Sequence, residues 1–360
     1  MSADAGFRAF ADPAAPAPEA AGDPSITFHA GRATTVADHH SRLAGGLQHW
    51  VDGTMGFHRH AGGTTVISPN GGRLARHRLT GSGFPERPLT ATGRIAGPVA
   101  AADHASGGPL HFDEETGQLL LSYHGETFRN GDPSDYYAFI GLAVSDDHGA
   151  SFEDLGRTIT SPLDEHDRYR PRPVDLGSGA FVVRDGWFLA YFQDRGNGPT
   201  RRRLSVARAR VDDVLAAARD RRTPTFTKYH DGRWDQPGRG GASAELLPDT
   251  PWVVWFDTAY VERLDHTLLV YSTSWLVDGV PHWMHMAALS PDGLRWSRPV
   301  PLLDAPVTDE IIYLTIDSGG PDQRTITGDS FDVYRTRSTT PYRWDHAWLE
   351  RVPVCFGPAR

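Results

Sequence analysis

The chain has 360 residues, a formal net charge of −9, 38 glycines, 27 prolines and a single cysteine, Cys355. The negative charge argues against nucleic acid or an anionic membrane as a partner, because both attract basic surfaces. No apolar run approaches the length of a membrane span, and one cysteine excludes an intrachain disulfide.

Residues 1–24 are rich in Ala and Pro and lack the continuous apolar segment of a secretory signal. We expect a disordered leader here, followed by one domain over residues 25–360. The sequence favours a cytoplasmic protein that is a monomer or weak oligomer, although a mature secreted form would look similar. The many glycines and prolines predict short strands joined by tight turns.

From Ser25 onward the pattern is strand-like, and we interpret it as an all-β, five-bladed β-propeller. One helix is predicted at 211–219, where two aspartates in the first turn favour the helix dipole. A strand near the N-terminus must close the ring, because an open ring would expose strand edges. A sixth blade built from 25–49 is the alternative. The blades are predicted at 48–80, at 107–160, from Val174 onward, at 252–303 and at 310–350.

A short apolar strand containing tyrosine recurs four times, at 119–124, 187–192, 268–272 and 331–334. The copies lie roughly sixty to eighty residues apart, which suits propeller blades. Two turns, 145–152 and 290–296, resemble the Asp box of sialidase-type propellers. In that turn an aspartate binds backbone amides and a glycine takes the positive φ. We expect both turns to be structural and to lie at the outer edge.

Acidic residues occur where inner strands begin and where second strands end. In an antiparallel blade these two positions lie at the same rim, so the side chains should converge around the axis. The acids at the starts of inner strands are Asp52, Asp175, Asp257, Asp309 and Glu310, and those at the ends of second strands are Glu126 and Asp194.

Such a cluster suits the cleavage of a glycosidic bond. Neighbouring carboxylates repel, so at least one should stay protonated, and a protonated acid opposite an ionised one is what glycoside hydrolysis requires. We predict four catalytic carboxyls, although the aspartates among them could instead cap turns: Glu126, Asp175, Asp52 and Asp257. The predicted substrate-binding residues are His124 (which could orient Glu126), Asp194, Arg172, Trp50, Tyr260, Trp275, Glu310 and Tyr313.

Histidines are frequent near the N-terminus, at His39, His40, His49, His58 and His60. Their spacing matches no standard zinc signature, and we expect them to be exposed. We expect no cofactor, and the sequence leaves undecided whether a structural calcium ion lies on the axis.

Segments 123–126 and 141–147 resemble the bacterial five-bladed propeller glycoside hydrolases related to arabinanases, β-xylosidases and invertases. Segments 228–234 and 237–241 strengthen the resemblance, which covers roughly residues 52–336. It implies a base, a pKa-tuning acid and a general acid from successive blades, with Asp52 as the candidate base. In that family the acid comes from the inner strand of a middle blade, where this chain has no glutamate.

Three functions therefore compete. The first is hydrolysis of a small glycoside, with Glu126 as acid and Asp175 or Asp52 as base. The second is binding of a carbohydrate or secondary metabolite, or a non-hydrolytic step on it. The third is a protein-interaction propeller.

Overall fold

The computed structural model describes residues 26–44, 53–61, 63–69, 74–79, 91–94, 102–194, 203–247, 250, 253–278, 280–304, 309–339 and 346–358. The two α-helices of this part of the chain are α1 (His39–Ala44) and α2 (Val211–Arg219). The strands are β1 (Ile26–Ala30), β2 (Thr34–Ala37), β3 (Gly56–His60), β4 (Gly63–Pro69), β5 (Leu74–Leu79), β6 (Ala91–Arg94), β7 (His104–Ser106), β8 (Leu110–Asp113), β9 (Gln118–Phe128), β10 (Tyr136–Ser145), β11 (Glu153–Thr160), β12 (Leu176–Arg184), β13 (Trp187–Asp194), β14 (Arg203–Arg210), β15 (Thr227–His230), β16 (Arg233–Pro237), β17 (Val254–Val261), β18 (His266–Val277), β19 (Val280–Ser290), β20 (Val300–Asp304), β21 (Glu310–Asp317), β22 (Thr325–Ile326), β23 (Ser330–Ser338) and β24 (Trp348–Pro358).

The described strands form five sheets, arranged as a β-propeller. The first sheet has the order β3-β4-β5-β6, and the second places β7 and β8 beside β9, followed by β10 and β11. The third runs β12-β13-β14-β15-β16, and the fourth runs β17-β18-β19-β20 with β22 beside β17. The fifth runs β21-β23-β24, and β1 and β2 both pair with β24.

Five apolar clusters fill the spaces between neighbouring sheets, including the space between the fifth sheet and the first. The fifth and first sheets meet where Phe57 and Tyr334 lie with ring centroids 5.4 Å apart. Burial of apolar surface is the main favourable term in folding, so each sheet is held by both of its neighbours. The cores therefore close into a ring around one axis.

The recurring tyrosine belongs to these clusters. Tyr123, Tyr191, Tyr271 and Tyr334 lie on the second strand of four different sheets, and each is at most 2% exposed. The repeat seen in the sequence is therefore a packing repeat, in which a large ring fills the space between sheets.

The ring closes through the N-terminal strands, as predicted. Ile26 is opposite Pro358 and Thr34 is opposite Arg351, so residues 26–37 belong to the fifth sheet. The segment proposed as a sixth blade does not form a sheet of its own within the described residues. The predicted helix is also confirmed: α2 packs Val214, Leu215 and Ala218 into the core.

Two aspartates stabilise turns between the third and fourth strands of their sheets. Asp147 accepts a hydrogen bond from the Ser151 amide at 2.8 Å, and Asp292 accepts from the Leu294 amide at 2.9 Å. Hydrogen bonding holds the pKa of both carboxyls below the usual range despite partial burial, to about 2 for Asp292. Both turns are structural, and their assignment as Asp boxes stays a prediction.

No helix in the described ranges is both long and apolar enough to pass through a bilayer.

Candidate functional site

An axial cavity of about 240 Å³ receives side chains from all five sheets or the segments that lead into them. The second and third sheets contribute His124, Glu126 and Asp175, and the fourth and fifth contribute Trp255 and Tyr313. Thr54 precedes β3 of the first sheet. We refer to this space as the axial cavity.

Three of the strands nearest the axis are distorted where they border the axial cavity. The pairing register shifts at Ser178 in β12, Trp255 in β17 and Tyr313 in β21. These residues have φ values of 72°, 43° and 45°, a region that non-glycine residues rarely occupy. A β-bulge redirects a side chain and is common beside functional sites, and all three side chains line the cavity.

Aromatic rings form one wall. The Trp255 and Tyr313 ring centroids are 4.9 Å apart, and Trp255 stacks at 5.4 Å on Trp283, which is buried behind it. Aromatic pairs at these distances stabilise one another. The result is a supported apolar surface on one side of the cavity.

Carboxyls and imidazoles from the second and third sheets form a second wall. His124 Nε2 lies 3.0 Å from Glu126 Oε1, and His124 Nδ1 lies 3.1 Å from the Leu176 carbonyl oxygen. Burial alone would lower the pKa of His124, but the hydrogen bond and charge of Glu126, together with the charge of Asp175, raise it. His104 completes this wall, with its ring edge-on to His124 at 6.5 Å.

Gly177 lies between these groups. A Cβ atom at Gly177 would stand 3.7 Å from Asp175 Oδ1 and 3.8 Å from His124 Nδ1. Asp175 and His124 therefore flank the same short stretch of β12. Of the residues predicted from the sequence, Glu126, Asp175, His124 and Tyr313 meet at the axial cavity.

Asp257 was expected among the catalytic carboxyls, but it does not line the axial cavity. Its side chain is fully buried, pairs with the Arg324 guanidinium and accepts the Ile316 amide at 2.8 Å. Burial raises the pKa of this carboxyl, while Arg324 opposes the rise. With both oxygens engaged, Asp257 joins the fourth and fifth sheets, so the catalytic assignment is withdrawn.

Two other predicted acids are buried outside the cavity lining. Asp194 accepts a hydrogen bond from Ser243 Oγ. Glu310 is 1% exposed and pairs in register with Ser338, and its neighbour Asp309 forms an ion pair with Arg337. Their positions at strand ends predicted that they lie near the rim at the axis. Alternation of side chains along the strand turns them away from the axis.

Arg172, Tyr260 and Trp275 also lie away from the cavity lining. The Arg172 side chain is 59% exposed and pairs with Asp135 at 3.2 Å. Tyr260 lies five residues beyond Trp255, about 16 Å along the strand, and donates to Asp265 at 2.9 Å. Trp275 packs against His282 near the tip of the β18–β19 hairpin. The geometry thus does not support these three as substrate contacts.

Asp52, Trp50 and His49 lie outside the described residues.

The sequence prediction missed Trp255, His104 and Gln193, all of which line the axial cavity. Trp255 occupies in β17 the bulged position that Tyr313 occupies in β21, an equivalence that only the backbone geometry reveals. His104 is the register partner of Glu126 across β7 and β9. Gln193 directly precedes Asp194 on the second strand, with its side chain on the other face.

A second histidine cluster lies beside a separate cavity of about 360 Å³. We call His58, His60 and His148 the histidine stack, because their ring planes are within 19° of parallel. His58 Nε2 is 2.9 Å from His148 Nδ1. Burial, followed by the neighbouring imidazoles, lowers the pKa of His58 to about 4.

The expectation that the N-terminal histidines are exposed is wrong for His58, which is 2% exposed. The ring planes of the histidine stack are nearly parallel, and the rings do not converge on a point. In the part of the chain that the structure describes, no three His, Cys, Asp or Glu side chains are arranged to hold a metal ion.

Lys228, the first residue of a segment that carried the family resemblance, is fully buried. Its Nζ donates to the Thr160 carbonyl at 2.7 Å and to the Gly241 carbonyl at 2.6 Å, and burial lowers its pKa to about 8. It therefore joins the outer strand of the second sheet to the segment after β16, away from the axial cavity.

Comparisons with known proteins find the fold but no family. No protein-family model matches the chain, and no curated protein sequence matches it. Among solved structures, the catalytic domain of a Coprinopsis cinerea GH62 alpha-L-arabinofuranosidase is similar with a TM-score of 0.57 and 10% identity, covering 92% of this chain and 98% of that one.

Two further structures are similar over most of their length. An alpha-L-arabinofuranosidase from Podospora anserina in complex with cellotriose gives a TM-score of 0.54 and 10% identity, covering 86% of this chain and 92% of that one. A Penicillium chrysogenum alpha-L-arabinanase complexed with arabinobiose gives a TM-score of 0.52 and 10% identity, covering 90% of this chain and 98% of that one. At this identity the likeness shows the fold alone, a β-propeller.

Proposed function

We propose that the protein is a glycosidase that cleaves a small glycoside or oligosaccharide in the axial cavity of a five-bladed propeller. The observation that carries the proposal is that Glu126 and Asp175, from the second and third sheets, share a cavity whose other wall is aromatic. A sugar ring has one apolar face and a polar edge, so it matches two walls of this kind.

In this proposal Glu126 is the general acid and Asp175 is the base or nucleophile. Glu126 protonates the glycosidic oxygen as the bond to the anomeric carbon breaks, and Asp175 activates water or attacks that carbon directly. Asp52 remains a second candidate base. The cavity, at about 240 Å³, exceeds the ~150 Å³ that holds a benzene ring, so it has room for a sugar ring with its hydroxyls.

The structural neighbours suggest which sugars to test first. Solved complexes of the similar proteins contain arabinobiose and cellotriose. We therefore include arabinofuranosyl and glucosyl oligosaccharides beside the other common sugars. No Lys or Arg is among the described residues that line the cavity, which favours neutral sugars over charged ones.

Nitrophenyl glycosides and these oligosaccharides form the test panel for wild type, Glu126→Gln and Asp175→Asn. We expect wild type to release nitrophenol from at least one sugar and both variants to lose most of that activity. The exposed Glu115→Gln is the matched control, and it should retain wild-type rates. Wild-type inactivity across the panel would overturn the proposal.

The second candidate function is binding of a carbohydrate or secondary metabolite, or a non-hydrolytic step on it. The observation that favours it is that Asp257, a third predicted carboxyl, is held in an ion pair away from the cavity. Calorimetric titration with the same sugars separates the two functions. Binding without turnover by wild-type protein would favour the second.

A further inference from the structure

The imidazole of His124 is held between a backbone carbonyl and a carboxyl. Its Nδ1 lies 3.1 Å from the Leu176 carbonyl oxygen, which belongs to the neighbouring sheet. A carbonyl oxygen only accepts hydrogen bonds, so Nδ1 must carry a hydrogen and donate it. The neighbouring strand therefore fixes the tautomer of this histidine.

This tautomer restricts what can happen at the other ring nitrogen. With Nδ1 protonated, a neutral His124 has only a lone pair at Nε2, which lies 3.0 Å from Glu126 Oε1. A lone pair facing an ionised carboxylate is repulsive. The contact is attractive only if a proton lies between the two atoms, on the imidazole or on the carboxyl.

The charges around His124 favour keeping this proton. Asp175 Oδ1 and His124 Nδ1 lie within 4 Å of one point beside Gly177, so a second carboxylate faces the ring. His104 is edge-on at 6.5 Å, and Tyr136 is another titratable group of the cavity lining. Two carboxyls therefore lie close to the His124 ring, and a low-dielectric setting strengthens their attraction for a cation.

We propose that His124 is a positioning residue that keeps one proton in place for Glu126, so that the two side chains act as a single acid. The inference rests on the proposed glycosidase function for its use in catalysis. The shared proton passes from Glu126 to the leaving oxygen as the bond to the anomeric carbon breaks. Water adds its hydroxyl to that carbon, and its remaining proton returns to the pair through solvent.

Nuclear magnetic resonance of ¹⁵N-histidine-labelled protein tests the proton without any substrate. The His124 signal is identified by its loss in His124→Gln. In wild type we expect hydrogen on Nδ1 at every pH and loss of the Nε2 proton only above the ordinary range. Glu126→Gln should weaken proton binding at His124 at least tenfold, and Asp175→Asn should weaken it less. The exposed Glu115→Gln should leave it unchanged.

A neutral His124 with hydrogen on Nε2, or a titration that Glu126→Gln does not move, would overturn the inference. If Glu126→Gln folds poorly, Asp175→Asn gives a second measurement of proton binding at His124, because Asp175 also lies near that imidazole. An unmoved titration in that variant would count against the charge arrangement described above.

The pH dependence of kcat/KM tests the catalytic use of the proton. His124→Gln keeps a donor for Glu126 but cannot hold an extra proton, so the basic limb should move to lower pH with KM unchanged. A purely structural histidine would lower the rate equally at every pH. If wild-type protein hydrolyses a sugar but neutral His124 carries its hydrogen on Nε2, only this inference is refuted. If the spectrum is as expected but no sugar is hydrolysed, only the proposed function is refuted.

Discussion

Two buried histidines in different parts of the propeller show how neighbouring groups oppose or reinforce the effect of burial on the charge of a side chain. His124 in the axial cavity and His58 in the histidine stack are 8% and 2% exposed. Burial opposes protonation of both. Carboxylates raise the pKa of His124, whereas two further imidazoles add to burial and lower that of His58 to about 4.

The difference separates a region suited to proton transfer from one suited to stability. In the axial cavity a charged imidazole has acids to pair with, so a proton can be held and delivered. In the histidine stack burial and the two neighbouring imidazoles both oppose a proton on His58, so this ring packs as a neutral aromatic group. The contrast predicts that substitutions in the two regions change different properties.

The largest expected effect is on catalysis. Glu126→Gln and Asp175→Asn should each lower kcat/KM by about 10²–10⁴, the usual contribution of a positioned acid or base. Their free energy of unfolding should change far less, as measured by urea denaturation. His58→Gln, the control from the histidine stack, should leave kcat/KM at pH 7 unchanged. Loss of activity in all three variants would contradict the contrast between the axial cavity and the histidine stack.

The next effect is on stability. Asp257→Asn leaves the buried Arg324 guanidinium without its ionised partner, and breaking a buried pair costs about 3–5 kcal/mol. We expect this loss in the free energy of unfolding, with kcat/KM of the remaining folded protein near wild type. Asp231→Asn, at an exposed aspartate, is the control. A stable but inactive Asp257→Asn would return this residue to the catalytic candidates.

The two histidines should give opposite slopes of stability against pH. The unfolded chain binds a proton at His58 with a pKa near 6.5, but the folded chain binds it near 4, so stability falls as pH drops between these values. The loss is at most about 3 kcal/mol. The raised pKa of His124 contributes stability that is present below 6.5 and lost as pH rises through its folded value.

Denaturation between pH 4 and 7 measures the His58 contribution. His58→Gln should flatten the acid side of the profile, whereas the exposed His29→Gln should not. If both variants kept the wild-type profile, acid sensitivity would have to come from other groups.

The smallest effect is on substrate binding at the aromatic wall. Trp255→Ala removes the stacking surface and should raise KM about tenfold, or ~1.4 kcal/mol, with a smaller change in kcat because the ring binds substrate and transition state alike. Trp187→Ala, at an aromatic residue outside the axial cavity, is the control. Steady-state kinetics on the best sugar of the panel gives both constants.

The sequence predicted features that depend on strand order and repetition. Glu126 and Asp175 were found because antiparallel strands bring the end of one and the start of the next to the same rim. The four tyrosines and the helix at Val211–Arg219 follow from local periodicity in the same way.

Features that depend on distant partners or on unusual backbone could not be predicted. Asp175 and Asp257 both look in the sequence like acids at the start of an inner strand. In the structure Asp175 precedes the bulge of β12, whereas Asp257 follows the bulge of β17 and pairs with Arg324, 67 residues away. His148 lies 90 residues from His58, within a turn motif that gives no sign of that contact. Trp255 points into the cavity because β17 bulges there, and β-propensity describes regular strands.

The bulges at Ser178, Trp255 and Tyr313 have a consequence for how this scaffold diversifies. Backbone geometry directs these three positions inward whatever residue stands there, and most of the strand pairing on either side is kept. Single substitutions on rigid strands can therefore change the lining of the axial cavity, without an insertion in a loop. A library at these codons should omit Val, Ile and Thr, which tolerate positive φ worst, so that the cavity lining changes with the least backbone strain.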